Sequence, residues 1–392
     1  MKIRPFLALA VTASIAFAAC GGTTTEAPSQ EPSGAPSTAP STEPSGEPST
    51  APEAASVRLQ LQWVPQAQFA GYFAAQSLGY YADENLTVEI LDGGPTIIPQ
   101  QVGSAPEGPE FTTSWVPKVL EAREAADPSD LVDIAQIFAR SGTLSVLWAD
   151  TGNGPCDMAG KNVGVWDFGN EFEVTAGLQA CGLTPGTGPD TYNKVIQSFD
   201  MVAFLARQID MAEAMIYNEY AQVLEATNPV TGELYKPEDM TVVDWNTRRV
   251  AMLQDAIFAR ESWLTEGNNR DIAVRFVRAS IRGWIYCRDN PDDCVNIVLD
   301  AGTALGAGHQ AWQMNEINAL IWPNQVGIGR VDPVFWQQTV RIALQSGIIK
   351  NQPSTSAYDT TIVAEALAGL EDQNLTGDGF EKGTVPVTPG GN

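Results

Sequence analysis

Apolar and polar positions alternate through "VRLQLQ" (Val57–Gln62), the period-two pattern of a strand with one buried face, and "LTVEIL" from Leu86 repeats it. Between them, Ala67–Gln76 carries its apolar residues at helical spacing. A turn at Gly93 and Gly94 and a short helix over Ile97–Val102 follow, and then "EFTTS", a helix over Val116–Ala126, "LVDIAQIF" and "LSVLWA". This is the order of βαβ units. A second set starts at "KNVGVW" and continues through a helix over Glu171–Ala180, "NKVIQSF", a helix over Met201–Gln208, "AEAMIYN", a helix over Glu219–Thr227 and "MTVVDW". After "RRVAMLQDAIFA" the pattern predicts helices only, over Asn269–Cys287, Asp292–Ala301, Trp312–Leu320 and Pro333–Gln345. Two α/β units in series predict an α/β, two-lobed fold. Ligands of open α/β sheets sit beyond the carboxyl ends of the strands, so the expected site is the cleft between the lobes.

The N-terminus breaks this pattern. Lys2 and Arg4 precede an apolar run from Phe6 to Phe17, too short to span a bilayer, and "FAAC" ends it at Cys20. Residues 1–19 read as a signal peptide, and "FAAC" resembles a bacterial lipobox, whose cysteine is lipidated; Phe17 stands where leucine is usual. From Gly21 to Ala55 the chain holds Ser, Thr, Pro, Gly, Glu and Ala with no aromatic or large aliphatic side chain, a composition that cannot build a core. Residues 20–56 are therefore expected to be a lipidated cysteine and a tether of roughly 30–35 Å root-mean-square span. Anchored outside the cytoplasmic membrane, it would hold a soluble domain off the surface.

Charge and cysteine content narrow the classes. A net charge of −25 opposes binding to nucleic acid or to an anionic membrane. Beyond Cys20, the cysteines form two local pairs, Cys156 with Cys181 and Cys287 with Cys294, which an oxidising compartment would turn into disulfides. No C-x-x-C occurs and His309 is the only histidine, so a zinc site is not expected. "GPCDMAGKN" fails as a phosphate loop, because its glycine spacing is one too long and Asn162 follows Lys161. "GTALGAGHQ" follows no strand, and His309 lies near no nucleophile-elbow pattern. No catalytic residue and no cofactor are expected.

The candidate site is read from strand ends. In "WVPQAQFAGY", Trp63, Phe69 and Tyr72 offer faces on which a planar ring can stack, and Gln66 adds an amide beside them. Core packing is the competing account of the aromatics. In "VWDFGNEF", Trp166 ends a strand and Asn170 precedes a helix, where free backbone N–H groups converge. "YNEYAQ" repeats the arrangement with Glu219 and Tyr220, although a first-turn glutamate also steadies a helix dipole. Asp255 in "LQDA" completes the set.

Four blocks carry a family resemblance: "LQLQWVPQAQFAGYFAAQSLGYYADENLTVEILDGGP", "KNVGVWDFGNEFEVTAGLQACGL", "AMIYNEYAQV" and "AMLQDAIFA". They resemble extracytoplasmic solute-binding proteins of ATP-binding-cassette importers, in the branch that includes binders of thiamine pyrimidine precursors, alkanesulfonates and riboflavin. The resemblance implies a periplasmic-binding-protein fold with two interlobe crossovers. One lobe would comprise residues 57–145 and 250–350, the other 146–249, followed by a C-terminal extension over 351–392. It also implies partners: a small-molecule ligand, an ABC permease and its ATPase, and the membrane only through the lipid anchor. "QWVPQAQFAGY" looks closest to the riboflavin-binding branch, with a formylaminopyrimidine-like thiamine precursor as the alternative. The related fungal pyrimidine synthases carry a cysteine-rich catalytic motif that this chain lacks, which disfavours an enzyme.

Overall fold

In the computed structural model, which describes residues 52–392, eleven strands form two sheets among the described residues. The signal peptide, Cys20 and nearly all of the tether lie outside the described residues. The strands are β1 Ala55–Gln60, β2 Leu86–Leu91, β3 Phe111–Ser114, β4 Leu131–Gln136, β5 Thr143–Trp148, β6 Asn162–Val165, β7 Thr184–Pro185, β8 Thr191–Ile196, β9 Met211–Met215, β10 Met240–Asp244 and β11 Ala256–Arg260. The first sheet has the order β2-β1-β3-β11-β4 and the second β10-β5-β9-β6-β8-β7. The fold is thus the expected two-lobed α/β architecture. The chain enters the second sheet between Gln136 and Thr143 and leaves it between Asp244 and Ala256, so that Ser145 lies inside β5 and Arg249 within the return segment.

Parallel pairing joins β1 to β2 and β3, and β6 to β8 and β9, as βαβ order requires. Two strands run the other way. β11 is antiparallel to β3 and β4, and β5 is antiparallel to β9 and β10, because each follows or precedes a passage between sheets without a crossover helix. The parallel strands end at the face where the two lobes meet.

The first lobe is closed by the helix Asn269–Asp289, whose Phe276 stacks on Phe111 at 3.9 Å between ring centroids and on Tyr81 at 5.3 Å. Against it lies the helix Ala70–Ser77, and the crossing depends on two glycines. A Cβ at Gly71 would fall 2.2 Å from the Trp284 ring, and one at Gly283 would fall 1.9 Å from the Gly71 carbonyl oxygen. That second obstacle is backbone and cannot rotate away. Gly283→Ala is therefore expected to part the helices and destabilise the chain by about 1–3 kcal/mol, the usual cost of overpacking, read from the midpoint of urea unfolding.

Both cysteine pairs are disulfides, with Cα–Cα distances of 5.1 Å for Cys156–Cys181 and 5.4 Å for Cys287–Cys294. The first ties the turn after β5 to the end of the helix Phe172–Ala180, and the second joins the helices Asn269–Asp289 and Pro291–Asp300. The C-terminal segment packs back on the fold: the helix Thr360–Leu367 follows a bridge between Tyr358 and Asp133 of β4, and Gly391 approaches His309 and Glu225.

Candidate functional site

A cavity opens where the carboxyl ends of β1, β3, β6, β8 and β9 converge, which is where open α/β sheets leave backbone groups and side chains free to meet a ligand. Gln62 and Trp63 come from the end of β1, Trp115 and Lys118 from the end of β3, Trp166 from β6, Phe199 from beyond β8, and Tyr217, Asn218 and Glu219 from beyond β9. The cavity is narrow, with about 70 Å³ of free volume. Flat groups suit such a space.

Aromatic rings form its walls. Phe199 stands between Trp63, at 4.3 Å between centroids, and Trp166, at 5.6 Å with the planes 18° apart. Trp63 belongs to the first lobe, and Trp166 and Phe199 to the second, so the stack spans the cleft. The Trp166 backbone N–H donates to Glu213 Oε2 at 2.8 Å and its indole N–H to the Ser198 carbonyl at 3.3 Å, which fixes the ring. Phe168, 61% exposed at the mouth, holds a left-handed φ of 65°, an unusual conformation for an aromatic residue. Gly93, beside the lining residue Gly94, braces the Trp63 backbone: its N–H donates to the Trp63 carbonyl at 3.0 Å, and a Cβ there would lie 2.5 Å from the Trp63 nitrogen.

Behind the aromatic wall is a buried polar network centred on Asp255. Its Oδ1 accepts from Gln62 Nε2 at 2.6 Å and from Trp115 Nε1 at 2.7 Å, and its Oδ2 accepts from Gln68 Nε2 at 2.9 Å. Gln68 Oε1 in turn accepts from Gln66 Nε2 at 2.7 Å, and Gln66 Oε1 from Gln313 Nε2 at 3.1 Å. A carboxylate can only accept, so it sets the direction of every amide in the chain. Burial pushes the Asp255 carboxyl up to about 6, against the pull of its three donors. Burial likewise raises Glu219 to about 7, though its two oxygens accept from the Met215 N–H and Asn218 Nδ2 at 2.9 Å each.

Lys118 supplies a cation. It sits in the first turn of the helix Val116–Arg123, 5% exposed, with Nζ 4.2 Å from the Trp115 ring centroid and donating to Asn170 Oδ1 across the cleft at 2.6 Å. Burial lowers it to about 8, although Asp255, Glu213 and Glu171 favour its charge.

Of the residues expected at the site, Trp63, Gln66, Trp166, Asn170 and Glu219 line this cavity. Phe69 and Tyr72 do not reach it. Both are core: Tyr72 meets Trp284 edge-on at 5.6 Å, and Phe69 is fully buried, because the helix they lead into turns that face toward the helix Asn269–Asp289. Tyr220 points away as well, toward Trp312 at 6.3 Å, since it follows Glu219 by one residue and so occupies a different face of the helix Glu219–Glu225. Asp255 stands behind the lining and acts on it through Gln62, Gln68 and Trp115.

Trp115, Lys118, Phe199 and Tyr217 also line the cavity, and the sequence reading had not selected them. Lys118 did leave a trace: a lysine in the first turn of a helix opposes the helix dipole, which is unusual without a local acidic partner.

This geometry, a ligand slot between two α/β lobes, defines a solute-binding-protein fold. The chain belongs to the family described as NMT1/THI5 like, which matches residues 66–294. Similar proteins include the riboflavin-binding protein RibY of Chloroflexus aurantiacus, 24% identical over 306 residues covering 75% of this chain and 81% of that protein. The formylaminopyrimidine-binding protein of Halalkalibacterium halodurans is 22% identical over 248 residues, covering 62% of this chain and 70% of its own. Among solved structures, the periplasmic aliphatic sulphonate-binding protein SsuA of Escherichia coli superposes with a TM-score of 0.54 at 12% identity over 76% of this chain and 89% of its own. The desulfurization enzyme DSZB shares the fold at the same TM-score and identity, over 80% of this chain and 99% of its own.

Proposed function

We propose that the chain is the substrate-binding lipoprotein of an ABC importer, which captures a flat heteroaromatic vitamin, riboflavin, and delivers it to a membrane permease served by an ATPase. The observation that carries this reading is the narrow slot walled by Trp63, Phe199 and Trp166 from both lobes, with amides at its edge. The likeness to RibY supports it. On the same reading, Cys20 is the lipid anchor that holds the protein on the extracytoplasmic face of the cell membrane. A thiamine pyrimidine precursor is the second reading, favoured by the formylaminopyrimidine-binding relative and by the carboxyl of Glu219 inside the slot.

A pyrimidine-synthase-like activity has less support, since the four cysteines of the folded part are tied in disulfides and offer no thiol cluster. The fold alone does not decide this, because DSZB shares it.

Titration of the purified protein with riboflavin, read by quenching of flavin and tryptophan fluorescence, tests the assignment. Trp63→Ala is expected to weaken binding tenfold or more, on the order of 1.4 kcal/mol, with little change in melting temperature. Unchanged fluorescence and melting temperature at saturating riboflavin, together with a shift produced by a formylaminopyrimidine, would transfer the assignment to the second reading.

A further inference from the structure

The slot has a polar edge with a definite order of donors and acceptors. Lys118 Nζ is a buried donor whose hydrogen-bond partner, Asn170 Oδ1, is a neutral amide rather than a carboxylate. Asn170 takes one of the three N–H bonds of the ammonium. Gln62 and Gln100 also line the cavity, 7% and 6% exposed, and the side-chain oxygen of each has no partner among the described residues. The orientation of Gln62 is fixed by chemistry: its Nε2 must face Asp255, which can only accept, so Oε1 is left over. Lys118 and Gln62 are neighbours around a single ring, since Trp115 lies beneath Lys118 Nζ and shares Asp255 Oδ1 with Gln62.

Unpartnered buried acceptors are rare in folded proteins and costly, and two of them in one ligand slot mark places for ligand donors. A full anion such as a sulfonate would meet Lys118 well and then face these two oxygens and the Glu219 carboxyl. A neutral group that alternates acceptor and donor fits all of them.

We propose that the slot recognises a heterocycle edge in which a ring carbonyl adjoins a ring N–H, as in a cyclic imide or ureide, with the carbonyl oxygen accepting from Lys118 Nζ and the N–H donating to Gln62 Oε1. Gln100 Oε1 receives a second donor of the ligand. Lys118 and Gln62 are then specificity-determining residues: they select rings with the C(=O)–NH sequence, of which the flavin pyrimidinedione is one, over aminopyrimidines, whose rings carry no carbonyl. This inference rests on the reading of the chain as a binding protein for a flat heterocycle.

The test is a set of equilibrium titrations of the full chain and of Lys118→Met with riboflavin, N3-methylriboflavin and 4-amino-5-aminomethyl-2-methylpyrimidine. Methylation at N3 removes the N–H from the ligand and leaves the protein untouched, so that comparison does not depend on any variant folding. The wild type is expected to bind riboflavin at least tenfold more tightly than either other compound. Lys118→Met is expected to lose tenfold or more for riboflavin, and to lack the decline in affinity expected of the wild type as pH rises above about 8. Equal affinity for riboflavin and its N3-methyl derivative, or a Lys118→Met variant that binds riboflavin as the wild type does, overturns the edge assignment while the functional reading stands. Preference of the wild type for the aminopyrimidine overturns it too. Binding of none of the three overturns the functional reading, and the edge assignment with it.

Discussion

Stability is expected to fall as pH rises from about 4.5 to 8, opposite to the acid lability of proteins whose carboxylates are paired. Burial pushes Asp133 up to about 8, Glu173 to about 8, Glu219 to about 7 and Asp255 to about 6, and Glu213 well above its ordinary value. In the unfolded chain the same groups ionise near 4. Between those limits the folded state holds more protons at these groups than the unfolded state, so their contribution to stability is full below about pH 4 and is lost as pH climbs through the folded values. One pKa unit corresponds to about 1.4 kcal/mol, so a gap of about two units, half that of Asp133, removes about 3 kcal/mol by pH 8. A fall of about 4 °C in melting temperature between pH 5 and pH 8 follows. Above pH 8 the depressed Lys118 acts in the other direction, because there the unfolded chain binds the extra proton.

Repulsion within a chain of net charge −25 has the same sign as this effect, and a single variant separates the two. Both side-chain oxygens of Asp133 are buried without a partner among the described residues. Asp133→Asn keeps the shape and cannot ionise. It is expected to raise stability at pH 8, to change little at pH 5, and so to flatten the pH profile measured by calorimetry. Diffuse repulsion would hardly notice one carboxylate of 47 acidic residues. A profile unchanged by Asp133→Asn would assign the pH dependence to net charge instead.

Much of the site was legible because strand ends and helix starts are marked locally. Trp63, Trp166, Asn170 and Glu219 each sit at such a handover, and all four line the cavity. Helix phase is not marked locally. Whether Phe69 and Tyr72 face the slot or the core is decided by Gly283 and Trp284, more than 200 residues along the chain, whose helix takes that face. The same limit hid Phe199, which becomes a wall only because Trp63 of the other lobe stands opposite. Asp255 is marked by its block but its depth is not, since nothing near it in sequence shows that Gln62, Gln68 and Trp115 lie between it and the cavity. The reversed strands β5 and β11 were equally unmarked, because strand direction depends on where the chain passes between sheets.

That depth makes Asp255 the residue whose replacement has the most to disturb. Asp255→Leu keeps the branched shape and removes the acceptor of three buried donors, Gln62 Nε2, Gln68 Nε2 and Trp115 Nε1. Each donor left without a partner costs about 1–3 kcal/mol, and release from burying a charge offsets part of the sum, so a net loss of about 3–6 kcal/mol is expected at pH 7. Asp255→Asn differs in kind. Its oxygen can still receive Gln62 and Trp115, but its NH₂ then meets the NH₂ of Gln68. Gln68 must turn over, which forces Gln66 and then Gln313 to turn, and the relay reverses with the same number of bonds. Gln313 Oε1 has no partner among the described residues, so its reversal breaks nothing further. Asp255→Asn is therefore expected to unfold within about 1 kcal/mol of the wild type while binding ligand at least tenfold more weakly, because Gln66 and Gln68 now show the slot the opposite polarity. Urea unfolding and ligand titration on the same two variants check this separation: a large stability loss in Asp255→Asn, or intact binding in it, means that the carboxylate does not set the direction of the amides.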